Sequence, residues 1–437
     1  MLKQKSAFIT CRLHSVTVST LKTLLILLYL GCTEVPLIEE NTTDQLPEPL
    51  AYEPESPNES FSTITPCENG FAGVYPCSGF DLIAHLPLSD FGSTAANDNW
   101  GWTDPETGIE YVLSGLDDGT AFISLENPEV PIYLGKLPSA AASSPWRDIK
   151  VYQHYAYIVS EAKGHGMQVF DLTRLRGKSA AEVYEADAQI NDFGEAHNIA
   201  INEESAFAYI LGSDLYHGGP VFIDLSNPLN PKIIGGYEEG DYTHDAQIVT
   251  YRGPDEKFQE RELLFGSNSN HGADNYLMIL DITDKSNPEL IQRITYENMG
   301  FTHQGYLTED QRYFLLGDEL DEINYGLKTT TQIFDLSNLE APKLHLTYRG
   351  QTPSIDHNGY VKGSFFYLAN YTAGLRVLNL EAIEEKQIEE FGFFDTHPSH
   401  DDPTYNGVWN IYPFFESGII AISDIDSGVF LVIPSDR

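Results

Sequence analysis

The stretch AHNIAINEESAFAYILGSDLYHGGPVFIDLSNPLNPKIIGGY, residues Ala196–Tyr237, decides the fold. His197–Asn202 alternates polar and apolar residues. The polar turn Glu203–Ser205 leads into the apolar run Phe207–Leu211, and Gly218-Gly219 breaks the chain before Val221–Leu225. The segment Ser226–Pro231 carries two prolines, which fix φ and cannot donate to a sheet ladder, so a turn is required before a fourth run at Lys232–Tyr237. Four short strands at regular turn spacings describe an antiparallel meander.

The same unit returns along the chain. Its third strand and turn recur as AFISLENPEVP from Ala121, QVFDLTR from Gln168, LMILDITDKSNPEL from Leu277, QIFDLSNLEAPKL from Gln332 and LRVLNLEA from Leu375. Its opening recurs as THDAQIV at Thr243, THQGYLT at Thr302 and DHNGYVK at Asp356, which sets His197, His244, His303 and His357 at intervals of 47, 59 and 54 residues. A four-stranded repeat of about 40–50 residues is a propeller blade. One such meander cannot bury its apolar face, and radial stacking of blades does so. The chain predicts an all-β, seven-bladed propeller of four-stranded antiparallel blades. Blade one opens near Asn97, blade two at Pro145–Asp148, blade three at His197, and blades four, five and six at His244, His303 and His357. Blade seven opens near Asn406–Trp409 and ends its third strand at Ile433, leaving a fourth strand to be supplied. The orphan run Phe80–Leu86 (FDLIAHL) is expected to supply it and close the ring.

Size and charge narrow the function. The 437 residues are 41% hydrophobic and 12% aromatic, enough for a sizeable core, and one propeller accounts for the span. The formal net charge of −40 argues against nucleic acid and against direct adsorption to an anionic membrane. No P-loop, G-x-S-x-G, H-E-x-x-H or dinucleotide fingerprint occurs.

Three regions are expected: a lipoprotein-type signal segment over residues 1–32, a flexible acidic tether over 33–66, and a single propeller domain over 67–437. The first 31 residues carry Lys3, Lys5, Arg12 and Lys22 and no acid, and the apolar run Leu24–Gly31 precedes Cys32. That run is short for a transmembrane helix and resembles a secretory h-region ending on an acylation site, with Tyr29 where that pattern usually carries Leu. Cys32 is therefore expected to be lipidated, and membrane contact to run through that anchor alone. The expected location is the bacterial cell envelope, lipid-anchored at the surface or facing the periplasm, with secretion as the alternative. Cys67 and Cys77 are the two thiols left, and in an exported chain they are expected to form a disulfide.

The strand-turn pattern FIDLSNPLNPKIIG resembles the LVIVD-type repeat of bacterial surface propellers. The segments NWGWTDPETGIEYVLSGLDDGTAFISL, SPWRDIKVYQHYAYIVSEAKGHGMQVFDL, FGEAHNIAINEE, YTHDAQIVTYRGPD, FTHQGYLTEDQRYFLLGDELDE and IDHNGYVKG resemble the choice-of-anchor B family. The resemblance runs from about Cys67 to the C-terminus. It implies a surface-attached or secreted propeller and no reaction. The chain departs from it in blade four, where SNSNHGADNYLMIL replaces a shorter acidic turn.

Chemistry is expected where blade openings and the loops after second strands share one face. The openings offer Trp102, Trp146, Arg147, His197, His244, Asp245, His303, Gln304, His357, Asn358 and Trp409. The loops offer Asp117-Asp118, Glu161, Asp214, Asn268, Asp318-Glu319 and Asp424. Imidazoles and carboxylates converging on a channel mouth suit a divalent metal, with His197, His244, His303 and His357 as candidate ligands. The competing explanation is that such residues satisfy loop backbone near a crowded axis. Asp424–Gly428 and Asp117–Gly119 have the oxygens and glycine of a calcium loop without its closing Glu, and tight turns explain them. The leading expectation is a monomeric binding module with an extracellular glycan, peptide or protein ligand at a mouth ringed by His and Trp. A divalent cation is its candidate cofactor. The alternative is a metal-dependent hydrolase or lyase at the same mouth, with Asp245 or Glu319 as base.

Overall fold

A computed structural model describes residues 64–269 and 275–435. The signal segment, Cys32, nearly all of the tether and His271 lie outside the described residues. Seven sheets, antiparallel apart from one added edge strand in blade one, stand around a central axis. Blade three is the unit read first: Asn198–Asn202, Phe207–Leu211, Val221–Asp224 and Lys232–Gly236 pair in sequence order. Blades one, two, four, five, six and seven begin at Ala96–Thr103, Arg147–Tyr152, Thr243–Thr250, Thr302–Leu307, Gly359–Lys362 and Val408–Tyr412. No helix among the described residues is long and apolar enough to cross a membrane.

The repeated third-strand motif has a local cause. The residue that ends the strand turns its side-chain oxygen back to the backbone N–H two residues on. Asp224 accepts from Ser226, Asp281 from Thr283, Asp335 from Ser337, Asn379 from Glu381 and Asp171 from Thr173. This Asx turn lets the chain reverse without leaving an N–H unpaired. The next strand then carries one extra residue in its pairing. The register shifts at Phe122/Ile123, Phe222/Ile223, Ile279/Leu280, Ile333/Phe334 and Val377/Leu378. Such bulges increase local twist, which blades need to pack radially.

Blade seven is completed from the other end of the chain. Phe80–Leu86 pairs antiparallel with the third strand, from Phe80 opposite Pro434 to Leu86 opposite Val429. Phe80, Leu82, Phe430 and Val432 are buried together, so the clasp is also core. Cys67 and Cys77 are disulfide-bonded. Two additions escaped the sequence reading. The hairpin Phe71–Ala72/Tyr75–Ser78 extends the outer edge of blade six, with Cys77 opposite Phe394. Glu182–Val183 adds a short parallel strand to blade one beside Gly135 and Lys136. Both cover edges that would otherwise offer unpaired backbone groups.

Candidate metal centre

Each first strand starts on the same face, and one register position repeats around the axis: Asn97, Arg147, His197, His244, His303, His357 and Trp409. Pairing breaks at or beside this position in blades one, four, five and seven, between Ala96 and Asn99, Thr243 and Asp245, Thr302 and Gly305, and Val408 and Asn410. A bulge here re-aims a side chain that strict alternation would place elsewhere. The four imidazoles form a continuous arc, with successive centroids 4.1, 4.3 and 4.2 Å apart, and the Trp409 ring lies 4.8 Å beyond His357.

Hydrogen bonds set the orientation of the rings. His197 Nδ1 meets Glu161 Oε1 at 2.6 Å. His244 Nδ1 meets the His303 carbonyl at 3.0 Å, and His357 Nδ1 meets the Trp409 carbonyl. Each carbonyl belongs to the next blade, so the histidines tie blades together. A donor at Nδ1 leaves Nε2 with a lone pair, the tautomer a metal ligand needs. His303 points the same way, toward the His357 backbone. Its Nδ1 is buried and makes no well-formed hydrogen bond.

Glu319 closes the site. It comes from the loop after the second strand of blade five, and its Oε1 lies 3.8 Å from His303 Nε2 and 3.7 Å from His357 Nε2. Donors on one tetrahedral ion, each at about 2.1 Å, stand roughly 3.4 Å apart, so these spacings are close to those of an ion's shell. Among the described residues, His303, Glu319 and His357 are the one group whose donor atoms all lie within 4.8 Å of each other. Tyr371 Oη donates to Glu319 Oε1 at 2.8 Å and orients it. Two imidazoles and a carboxylate suit zinc or another first-row dication and leave positions open.

Electrostatics differ along the arc. Burial pulls the His197 pKa down, but the hydrogen bond and charge of Glu161 outweigh it and leave the pKa raised. Burial holds His303 well below the usual imidazole range, with the other three histidines adding to the effect. His357 is lowered to about 3, mainly by burial. Burial pushes Glu319 up to about 7 against the opposing effects of Tyr371 and His197.

Several expected site residues are placed elsewhere. Trp102 lies at the far end of its strand, buried against Tyr111 and donating to the Gln153 carbonyl at 3.1 Å; Asn97 holds the rim position in blade one. Trp146 precedes the rim position and stands 42% exposed beside the mouth. Arg147 is buried at the rim, donating to the Leu116 carbonyl and meeting His165 Nε2 at 3.0 Å. Asp245, Gln304 and Asn358 belong to a belt one residue further in, with Asp98, Asp148, Asn198 and Asn410. Belt members bond from blade to blade. Asp98 accepts from Ile149 N, Asp148 from Ile199 N and Gln304 from Gly359 N, while Asn198 donates to Asp245 and Asn358 to Asn410. Asp245 faces the cavity beyond the belt, so the base proposed for it is not beside the metal donors. Of the loop acids, only Glu161 and Glu319 reach the histidines. Asp117, Asp214, Asp318 and Asp424 accept from nearby backbone N–H groups, and Asp118 pairs with Lys136.

The mouth encloses about 20 Å³. That admits roughly one water or one ion. The other end of the channel is wider, with a cavity of about 400 Å³ that sequence reasoning missed. Its lining includes the position three residues past the rim: Trp100, Lys150, Ala200, Gln247, Tyr306 and Tyr360. That spacing was available once the rim was aligned. Lys150 pairs with Asp148 at 2.7 Å and sits 4.5 Å over the Trp100 ring.

A family model described as LVIVD repeat matches residues 272–295, the third and fourth strands of blade four. The LVIVD repeat is present. It marks a strand–Asx turn–strand segment of the kind found in blades two to six. No curated protein matches the chain. Among solved structures, the chain is similar to the β-propeller domain of Myceliophteria thermophila Cps50 (Swd1), with 12% identity, a TM-score of 0.50, and coverage of 79% of this chain and 98% of that one. A crystal structure of a nidogen/laminin complex also matches, with 12% identity, a TM-score of 0.43, and coverage of 67% and 95%. At such identities the first likeness concerns the fold. The chain is a seven-bladed β-propeller, an architecture commonly used for protein interaction.

Proposed function

We propose that this chain is a choice-of-anchor B-type propeller of the bacterial envelope, exported and lipid-anchored at Cys32. In this reading it acts as a monomeric interaction module that takes a glycan, peptide or protein on its histidine face. The observation that carries the reading is the size of the mouth. An enclosed space of about 20 Å³ beside the metal donors admits an ion and excludes a substrate, which disfavours a hydrolase or lyase there. Around that mouth Trp146, Ile323, Tyr325 and Tyr405 stand between 42% and 49% exposed on the loops of the same face. Exposed aromatics around a buried polar centre suit docking of a partner. A transition metal on His303, Glu319 and His357 would fix the loops that carry them.

The test has two readouts on the full chain purified without chelator. Metal analysis is expected to find about one transition metal per chain, lost in His357→Ala. Peptide and glycan arrays are expected to return a ligand whose affinity drops at least about tenfold in Trp146→Ala or Tyr405→Ala, at unchanged melting temperature. Absence of array binding together with turnover of a model ester or phosphoester would sink the interaction reading.

A further inference from the structure

The wide end of the channel holds chemistry that the metal centre does not use. Protein interiors leave few voids larger than a water, yet a cavity of about 400 Å³ opens beyond the belt. Its size has a cause in the register position three residues past the rim. Six blades place a large side chain there: Trp100, Lys150, Gln247, Tyr306, Tyr360 and Tyr412. Blade three places Ala200, which is too short to fill the space beside it. The cavity and the histidine mouth share no lining residue, so an occupant of one does not touch the other.

The wall is divided into two arcs. Trp100, Tyr306 and Tyr360, from blades one, five and six, form the aromatic arc; Trp100 and Tyr306 each meet Tyr360 edge to face, with centroids 5.9 and 5.5 Å apart. Blades two, three and four bring polar groups to the other arc. Lys150 Nζ pairs with Asp148 at 2.7 Å and lies 3.7 Å from Asp98. Gln247 accepts from Leu307 N at 2.7 Å, and its side chain also bonds to the Tyr306 hydroxyl. Asp245 accepts from Asn198 at 2.9 Å. Exposed Glu203 and Glu204 stand at the lip, where Arg252 grips Glu204. Most of these groups are held in place before any ligand arrives, which lowers the cost of binding. Aromatic surface beside a few fixed polar groups, in a cavity within the range of about 300–1,000 Å³, is the pattern of a small-molecule site. Charge selects the class. A cationic occupant would face the Lys150 ammonium, and an anionic one the carboxylates of Asp245 and Glu203. A neutral ligand avoids both. Hydroxyls donate and accept, so they satisfy carboxylates and amides alike, and the C–H face of a sugar ring matches the aromatic arc.

We propose that this cavity is a binding site for a neutral saccharide of one or two rings, laid against Trp100 and Tyr306 with its hydroxyls toward Gln247, Asp245 and Glu203. The site lies at the opposite end of the channel from the histidine mouth and does not rest on the function given to that face.

The test titrates the full chain with glucose, galactose, mannose, N-acetylglucosamine, maltose and cellobiose, each to about 10 mM, which reaches millimolar dissociation constants. Choline and citrate serve as charged probes. Calorimetry is expected to show at least one sugar binding at one site per chain, with a change in tryptophan emission, and neither charged probe binding. Ala200→Tyr gives blade three the side chain that blades five and six carry at this position. It is expected to fill the cavity and weaken binding at least about tenfold at unchanged melting temperature. Trp100→Leu is expected to weaken binding as much, and supplies the test should Ala200→Tyr not fold. Trp146→Ala, on the histidine face, is expected to leave the affinity unchanged, so failure of the interaction reading for that face would leave this result intact. Binding that survives both Ala200→Tyr and Trp100→Leu overturns the site, and so does binding lost in Trp146→Ala. A panel in which no sugar binds, or in which only choline or citrate does, overturns it as well.

Discussion

Asp148 does two jobs in the channel. Its Oδ2 accepts from Ile199 N at 2.7 Å, latching blade two to blade three, and its Oδ1 pairs with Lys150 at 2.7 Å. Removing Asp148 strips Ile199 N of its acceptor and leaves Lys150 with the longer 3.7 Å contact to Asp98, so Asp148→Ala is expected to lose about 1–3 kcal/mol of stability in urea titration. His165 gives a sharper signature. Burial first, and the Arg147 charge second, lower its pKa to about 4. The unfolded value is about 6.5. Between these values the unfolded chain binds a proton that the folded chain does not, so its contribution is complete above pH 6.5 and lost as pH falls toward 4. His165→Asn is expected to flatten the stability–pH curve in that window by up to about 3 kcal/mol. A curve of unchanged slope would show that folding does not shift the His165 pKa. At this scale the sequence was only partly legible. The histidine motifs announced their own register position, because Thr-His or Asp-His stood at each blade opening. Trp102 misled because a conspicuous residue was counted in place of Asn97, and in blade one only the bulge reveals which residue turns to the axis. Tyr371 and Lys150 carry no local signal; their importance comes from Glu319 and Asp148, far away in sequence.

The blade was the most legible element. Its third strand, ending in Asp or Asn before Ser, Thr or Glu, is dictated by the Asx turn, and proline after the turn forbids any continuation of the ladder. The closing strand was legible as well, since Phe80–Leu86 is apolar and blade seven lacked a partner. Leu82 is fully buried opposite Val432. Leu82→Ala is expected to cost about 2–5 kcal/mol. Deleting residues 1–88 is expected to give insoluble or far less stable protein. Normal solubility and melting temperature of that deletion would refute closure by this strand. The Glu182–Val183 strand and the Phe71–Ser78 hairpin were not legible, because two to four residues are too few to show alternation. Their pairing is created by the edges they meet.

For the molecule as a whole, the net charge of −40 makes the surface repel itself. Electrostatic self-repulsion is screened by salt. The melting temperature is therefore expected to rise between about 10 mM and 150 mM sodium chloride, as the screening length drops from about 30 Å to about 8 Å. A flat response would mean that the paired and buried acids, rather than the free surface ones, dominate. The clasp of blade seven also has a bearing on how the molecule is made. Strands early in the chain must wait for Val429–Pro434 before the ring can shut, a separation that raises the entropic cost of the final contact. During synthesis, six blades can form in order while blade one lacks the neighbour that completes its packing. Folding is then expected to end in one event that joins Phe80–Leu86 to Val429–Pro434 across almost the whole length of the propeller.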